Sequence, residues 1–243
     1  MERVVFDRVA ELDRVHWWFA ARRRILKAVI RRVVRPPAGA KILEISCGTG
    51  HNLAMLSQFG CVDASEPDRC ARLLARKRLG RVVRDAKLPD LTMFKRNGYD
   101  LVALINVLEH VPDDLAALRA IHMRLKPGGA LLLTVPANAW LWSAHDTAHR
   151  HLRRYSRKRL KELFLRSGLE VQLLCNFNTL LFAPIALARV LGKAARKNGG
   201  HDKLPPSAVN AVLDKVFGLE AGLIGRLPML FGVSLIAVVR RPA

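Results

Sequence analysis

Apolar positions recur at helical spacing through residues 1–35, leaving a basic face of Arg22, Arg23, Arg24, Lys27, Arg31 and Arg32, until Pro36-Pro37 stops the helix. Beyond Gly39 the pattern changes to short apolar runs alternating with helical stretches. Strands are predicted at Lys41–Ser46, Cys61–Ala64, Arg81–Arg84, Tyr99–Ile105 and Ala130–Val135, with helices at Asn52–Phe59, Pro67–Leu79 and Asp113–Leu125. Apolar strands alternating with helices make a parallel sheet covered on both faces. Pro127-Gly128-Gly129 turns the chain into the fifth strand.

After Pro136 the pattern is lost: Ala137–Tyr155 is dense in Trp, His and Arg and has no clean period. Ser156–Ser167 then reads as a basic amphipathic helix with a serine N-cap and a glycine stop at Gly168. Two more strands, Leu169–Cys175 and Val233–Arg240, bracket helices at Thr179–Arg196 and Ser207–Arg226, which the turn-rich linker KNGGHDKLPP joins. The expected fold is α/β: a doubly wound, mostly parallel seven-stranded sheet. Its parts are an N-terminal helical cover (1–38), a core (39–178 plus 232–243) and a helical insertion or lid (179–231).

Charge changes the picture of partners. Lys and Arg number 41 against 20 Asp and Glu, a net +21, and 51% of residues are hydrophobic, which excludes a disordered or collagen-like chain. The excess favours anionic partners: nucleic acid, acidic lipid or a phosphorylated small molecule. Cys47, Cys61, Cys70 and Cys175 form neither CxxC nor a zinc spacing, and the charged start MERVVFDRVAELDRVHWWF lacks an apolar leader. A cytoplasmic protein with reduced thiols is expected. Val171–Ala188 carries no charge and reaches the length of a membrane span, but Gln172, Asn176, Asn178 and Pro184 make it a strand running into a helix. Attachment at the membrane surface stays open, helped by the apolar faces of the insertion.

The richest string is KILEISCGTGHNL (41–53): a buried strand, a small-residue loop and a helix start. Gly48 and Gly50 let backbone approach a ligand, and the helix N-terminus favours an anionic group. Asp63, near the end of the second strand, can accept hydrogen bonds from a ribose diol. Asp85-Ala86 ends the third strand and NVLEH (106–110) the fourth, all at carboxyl ends where doubly wound folds bind ligands.

ILEISCGTG, CVDASEP, RDAKLP and the stretch YDLVALINVLEHVPDDLAALRAIHMRLKPGGALLLTVP resemble, in order, the motifs of the class I S-adenosylmethionine-dependent methyltransferases, whose fold is Rossmann-like. HWWFAARR and HDTAHRHLRRYS resemble a bacterial subgroup of that family, in which Arg150 stands where glycine is usual and Ser46 replaces the first glycine of the loop. The resemblance implies S-adenosylmethionine as cofactor. It places Glu44 near the ligand's amino group, Ser46, Gly48 and Gly50 along the loop, and Asp63 with Ala64 at the ribose. Asp85 and Ala86 would meet the adenine, with Phe19, Arg22, Asn106 and His110 completing the cofactor contacts. Serine at position 46 is expected to keep a negative φ.

Methyl transfer from a sulfonium is an in-line displacement, so the enzyme aligns the partners and removes a proton where needed. His145, held by Asp146 or another carboxylate, is the first candidate base, with His110 second and His149 behind it. Trp142, His145, Asp146, His149, His151, Arg153, Arg154 and Tyr155 are the candidate acceptor site, the arginines as a clamp for a carboxylate or phosphate. Asn106-x-x-Glu109-His110 is similar to the Glu-x-x-Glu-His ligands of some metal-dependent relatives. An amide is a poor ligand for a hard cation, so no metal is expected. The acceptor expected is a small molecule, apolar, anionic or both, methylated on oxygen or nitrogen. Base-amino methylation of nucleic acid is disfavoured, because NVLEH replaces the Asn/Asp-Pro-Pro-aromatic motif. RNA ribose methylation and a non-catalytic cofactor-binding module stay as alternatives.

Overall fold

The computed structural model describes residues 10–194 and 204–243. Helix α1 (Trp17–Val29) starts at His16, whose Nδ1 accepts the Trp18 amide at 3.2 Å, and runs into a π-helical turn at Ile30–Val34. Arg35, in the left-handed region, ends it ahead of the two prolines. The helix expected through residue 35 is interrupted at residues 13–16, and its first nine residues lie outside the described ones.

The alternation then follows: β1 (Ala40–Glu44), α2 (Leu53–Leu56), β2 (Gly60–Ser65), α3 (Arg69–Leu79), β3 (Val83–Arg84), β4 (Tyr99–Ile105), α4 (Asp114–Arg124) and β5 (Leu125–Pro136). Asp68 caps α3 by accepting the Cys70 and Ala71 amides, and Gly80 closes it at φ 68°. β5 begins five residues earlier than the pattern suggests. The Pro-Gly-Gly turn is absorbed as an irregularity between the pairs Tyr99↔Leu125 and Leu101↔Ala130. The second half adds α5 (Ala144–Ala148), α6 (Arg157–Arg166), β6 (Glu170–Phe177), α7 (Phe182–Ala194), α8 (Ser207–Leu223) and β7 (Ser234–Arg240).

The seven strands lie in the order β3-β2-β1-β4-β5-β7-β6, with β7 antiparallel to both neighbours and the remaining pairs parallel. This is the doubly wound sheet that the sequence predicts. Each face buries its own core: Ile42, Leu101, Ala103 and Ile236 on the side of α1, and Leu43, Val102, Leu104 and Ala237 on the side of α4 and α6. Strand order reverses between β1 and β4, so a crevice opens beyond their carboxyl ends.

The two helices of the insertion pack in different places. α8 packs along α1, with the Trp18 ring stacked on Phe217 (5.0 Å between centroids) and the Trp17 amide donating to Asn210 Oδ1 at 2.9 Å. Half of the insertion therefore shares one layer with the N-terminal helix. α7 meets the loop after β5 instead, Phe182 lying 6.0 Å from Trp140 and Arg189 donating to the Leu141 carbonyl at 2.8 Å. The linker KNGGHDKLPP and the expected end of the preceding helix fall mostly outside the described residues. Among the described residues no helix is long and apolar enough to cross a membrane.

Candidate active site

β1 delivers Glu44 to the crevice, 2% exposed, with Oε1 accepting the Asn52 amide at 2.8 Å and Oε2 buried without a partner. Burial pushes its carboxyl up to about 7. The loop that follows is held in left-handed backbone. Ser46 has φ 52°, not the negative value expected, and Gly48 and Gly50 have φ 57° and 82°. A Cβ on Gly48 would meet nothing within 4 Å, whereas one on Gly50 would lie 2.9 Å from the Ala75 Cα. Gly48 thus faces open space that a ligand can fill, while Gly50 allows α3 to approach.

α1 projects Phe19 and Arg22 over this loop. Arg22 is 4% exposed; Nη1 donates to Asn106 Oδ1 at 2.9 Å and Nη2 lies 2.7 Å from His51 Nε2. The Phe19 ring stands 5.5 Å from the guanidinium carbon and 5.2 Å from the His51 ring. Burial, then Arg23, lowers the Arg22 pKa to about 10. Asn106, at φ 56° just past β4, also donates to Glu109 Oε1 at 3.2 Å. Glu109 is fully buried, and burial raises its pKa to about 7. Five buried polar atoms of this cluster have no partner: Arg22 Nε, Glu44 Oε2, His51 Nδ1, Asn52 Oδ1 and Glu109 Oε2. Such groups are costly unless something satisfies them. Sequence reasoning missed His51 and Asn52, although both stand in the quoted loop.

On β2, Asp63 pairs with Leu43 inside the sheet and accepts the Tyr99 hydroxyl at 2.9 Å. Ala64 is 1% exposed and belongs to the core. The acid at the loop is Glu66, one residue past the strand: Oε2 accepts the Gly48 amide at 2.7 Å and Oε1 the Asp68 amide at 2.9 Å. Burial raises its pKa. Asp85 sits at the end of β3, exposed and 3.0 Å from Arg72, with Ala86 buried behind it.

The loop after β5 gathers four imidazoles. The rings of His145 and His149 lie 4.1 Å apart, and His151 lies 4.9 Å from His110 and 6.2 Å from His145. Asp146, fully buried, holds His151: Oδ1 is 2.9 Å from His151 Nδ1. The same carboxylate takes Arg154 Nε at 2.8 Å and Nη2 at 3.0 Å, and its pKa lies well below the ordinary range because His151 and Arg154 outweigh burial. Burial, then His151, lowers His110 to about 4, so it is neutral near pH 7. The expected arginine clamp is already committed. Arg154 is tied to Asp146 and Arg153 to Asp114 at 3.1 Å. Tyr155, 1% exposed, donates to the Leu108 carbonyl at 3.2 Å and is core rather than acceptor wall. Arg150 takes φ 55°, a conformation that suits the glycine usual there in the similar subgroup. Trp142 is half-buried in the same loop.

A family model described as a methyltransferase domain matches residues 17–174, more than half of the chain. The ubiquinone biosynthesis O-methyltransferase of Xanthomonas axonopodis pv. citri (strain 306) is 38% identical over 104 residues, 40% of this chain and 44% of that protein. The chain thus matches less than half the length of this curated relative. Among solved structures, a Haloferax volcanii complex between the Trm112 methyltransferase activator and a methyltransferase superposes with a TM-score of 0.64 at 17% identity, covering 98% of this chain and 95% of that one. Phosphoethanolamine N-methyltransferase 2 of Haemonchus contortus, solved with S-adenosyl-L-methionine, gives a TM-score of 0.57 at 16% identity, over 89% and 52% of the two chains.

Proposed function

The chain belongs to the methyltransferase-domain family, and from that premise we propose that it methylates a hydroxyl of a small molecule with S-adenosylmethionine as donor. One observation carries the reading: Arg22, Glu44, Asn52 and Glu109, joined through hydrogen bonds of Asn52 and Asn106, each keep a buried polar atom without a partner, beside a loop whose Gly48 leaves open space where a Cβ would stand. This donor set fits the cofactor. Glu44 suits an ammonium, Arg22 a carboxylate, Glu66 the ribose diol and Asp85 the adenine amino group. When bound, the sulfonium supplies the activated methyl group. The protein's own share is to hold acceptor and donor in line and to take the acceptor's proton. His151 is the base this geometry favours, since Asp146 fixes the Nδ1–H tautomer and leaves Nε2 for the acceptor.

Methyl-labelled cofactor incubated with polar metabolites, a lipid extract and total RNA tests this directly. Label is expected in a small molecule and at least about a hundredfold less of it with His151→Ala, at equal cofactor affinity. Label confined to RNA would replace the reading with ribose methylation.

A second reading has its own support. Glu109, His110 and His151 offer ligand atoms all within 4.8 Å of one another, so the cluster can hold a divalent cation that binds the acceptor oxygen, with Asp146 orienting His151 from behind. Turnover lost on dialysis against a chelator and restored by a divalent metal favours this reading. Turnover unchanged by the chelator favours the base.

A further inference from the structure

A hollow of about 510 Å³ lies behind the cofactor loop, between α1, α2 and the end of α3. Its floor includes Gly50 and His51, and its wall carries Arg14, Arg23, Arg24, Lys27 and Arg78 with a single acid, Asp13. Arg23, Arg24 and Lys27 come from one face of α1, Arg14 from the turn before it and Arg78 from the last turn of α3. Three separate stretches of chain therefore bring like charges together. Asp13 pairs with only one of them, Arg78. It is 1% exposed and spent on Arg78 at 2.5 Å and the Thr49 hydroxyl at 3.3 Å. Arg24 has Asp214 at 2.9 Å. Among the described residues no carboxylate lies within ion-pair distance of Arg14, Arg23 or Lys27, and Arg23 Nη1 is buried without any hydrogen-bond partner. Burial and the neighbouring Arg78 and Arg24 lower the Arg23 pKa despite Asp13 and Asp214.

Holding cations together in a partly desolvated hollow costs free energy that a bound anion returns. Guanidinium groups present paired donors that match phosphate oxygens, and an ammonium adds a point charge. The hollow is larger than one inorganic ion. We infer that this hollow is a binding site for a phosphate or diphosphate group carried on a larger molecule, separate from the cofactor crevice and adjoining it at Gly50 and His51. The inference does not depend on which acceptor is methylated, or on methyl transfer at all.

Calorimetry with inorganic pyrophosphate, in the absence and presence of saturating S-adenosylhomocysteine, tests it. Saturable one-to-one binding is expected in both conditions. The double variant Arg23→Gln/Lys27→Gln should bind at least about tenfold more weakly while its affinity for S-adenosylhomocysteine stays the same. Arg14→Gln, at an exposed position, should show a smaller loss and guards against misfolding of the double variant. Cosedimentation with phosphatidylglycerol vesicles separates two sources of the same chemistry. Vesicle binding that pyrophosphate displaces assigns the site to a lipid headgroup, and indifference to vesicles assigns it to a soluble phosphorylated compound. No saturable pyrophosphate binding, equal affinity in the double variant, or displacement by S-adenosylhomocysteine would each overturn the inference, the last by giving these cations to the cofactor.

Discussion

Asp63 and Glu66 are three residues apart, and their places on and just past β2 give them different partners. Asp63 lies opposite Leu43 in the body of the sheet, where its carboxylate is satisfied by the Tyr99 hydroxyl. Glu66 has left the strand and folds back onto the Gly48 amide. Glu66→Gln should therefore weaken S-adenosylhomocysteine binding by roughly 1.5–3 kcal/mol, the worth of charge-assisted hydrogen bonds. Asp63→Asn should leave that affinity unchanged and lower stability by about 1 kcal/mol. Calorimetry on the two variants decides, and the reverse ranking would return the ribose to Asp63. The signal was present in the chain: VDASEP contains two acids, and only strand-end placement tells them apart. A strand boundary drawn at Ala64 hides that difference, since it makes Asp63 look terminal.

The loop between β1 and α2 shows what an element demands of its residues. Ser46, Gly48 and Gly50 all take positive φ, and serine does so at a cost of roughly 1–2 kcal/mol that glycine avoids. Glycine adds about 0.5–1 kcal/mol of unfolded-state entropy, so Ser46→Gly should raise stability by only about 0.5–1 kcal/mol, a melting shift of roughly 1–3 °C. Ser46→Val should melt lower than the parent, and since the residue-46 amide that donates to Ser65 Oγ is kept in every variant, a glycine variant that melts lower as well would mean that unfolded-state entropy outweighs the strain. The other elements were legible to different degrees. Short apolar runs and period-3.6 patterns located all seven strands and the helices between them, because strands buried on both faces carry few polar positions. The segment Ala137–Tyr155 has no period, so its chemistry could be foreseen and its pairing could not. Three histidines beside one aspartate suggested a base. That Asp146 would hold His151, across five residues and with Arg154 on the other flank, depends on how α5 turns. The packing of α8 along α1 was invisible for a related reason: the contacts join residues nearly two hundred apart, such as Trp17 and Asn210.

Over the whole molecule, buried titratable groups of opposite tendency set the response to pH. Glu44 and Glu109 are raised from 4.5 to about 7 by burial, so between those values the folded chain keeps protons that the unfolded chain has released, and stability falls as pH rises. His110, lowered from 6.5 to about 4, and His51, lowered well below 6.5, do the opposite. There the unfolded chain holds the extra protons, and stability rises with pH up to 6.5. The two pairs oppose each other between 4.5 and 6.5. Above 6.5 the unfolded imidazoles lose the rest of their protons and the carboxyls come to dominate the titration. Urea midpoints are thus expected to change little from pH 5 to 6.5 and to drop between 6.5 and 7.5. A cationic cofactor beside Glu44 favours its ionised form. Saturating S-adenosylmethionine should raise the midpoint through binding and also flatten the drop above pH 6.5, and Glu44→Gln should flatten part of it without cofactor. A midpoint that climbs steadily from pH 5.5 to 7.5 in the free protein would show that these carboxylates are already ionised, and with them the argument that the crevice waits for a cation would fail.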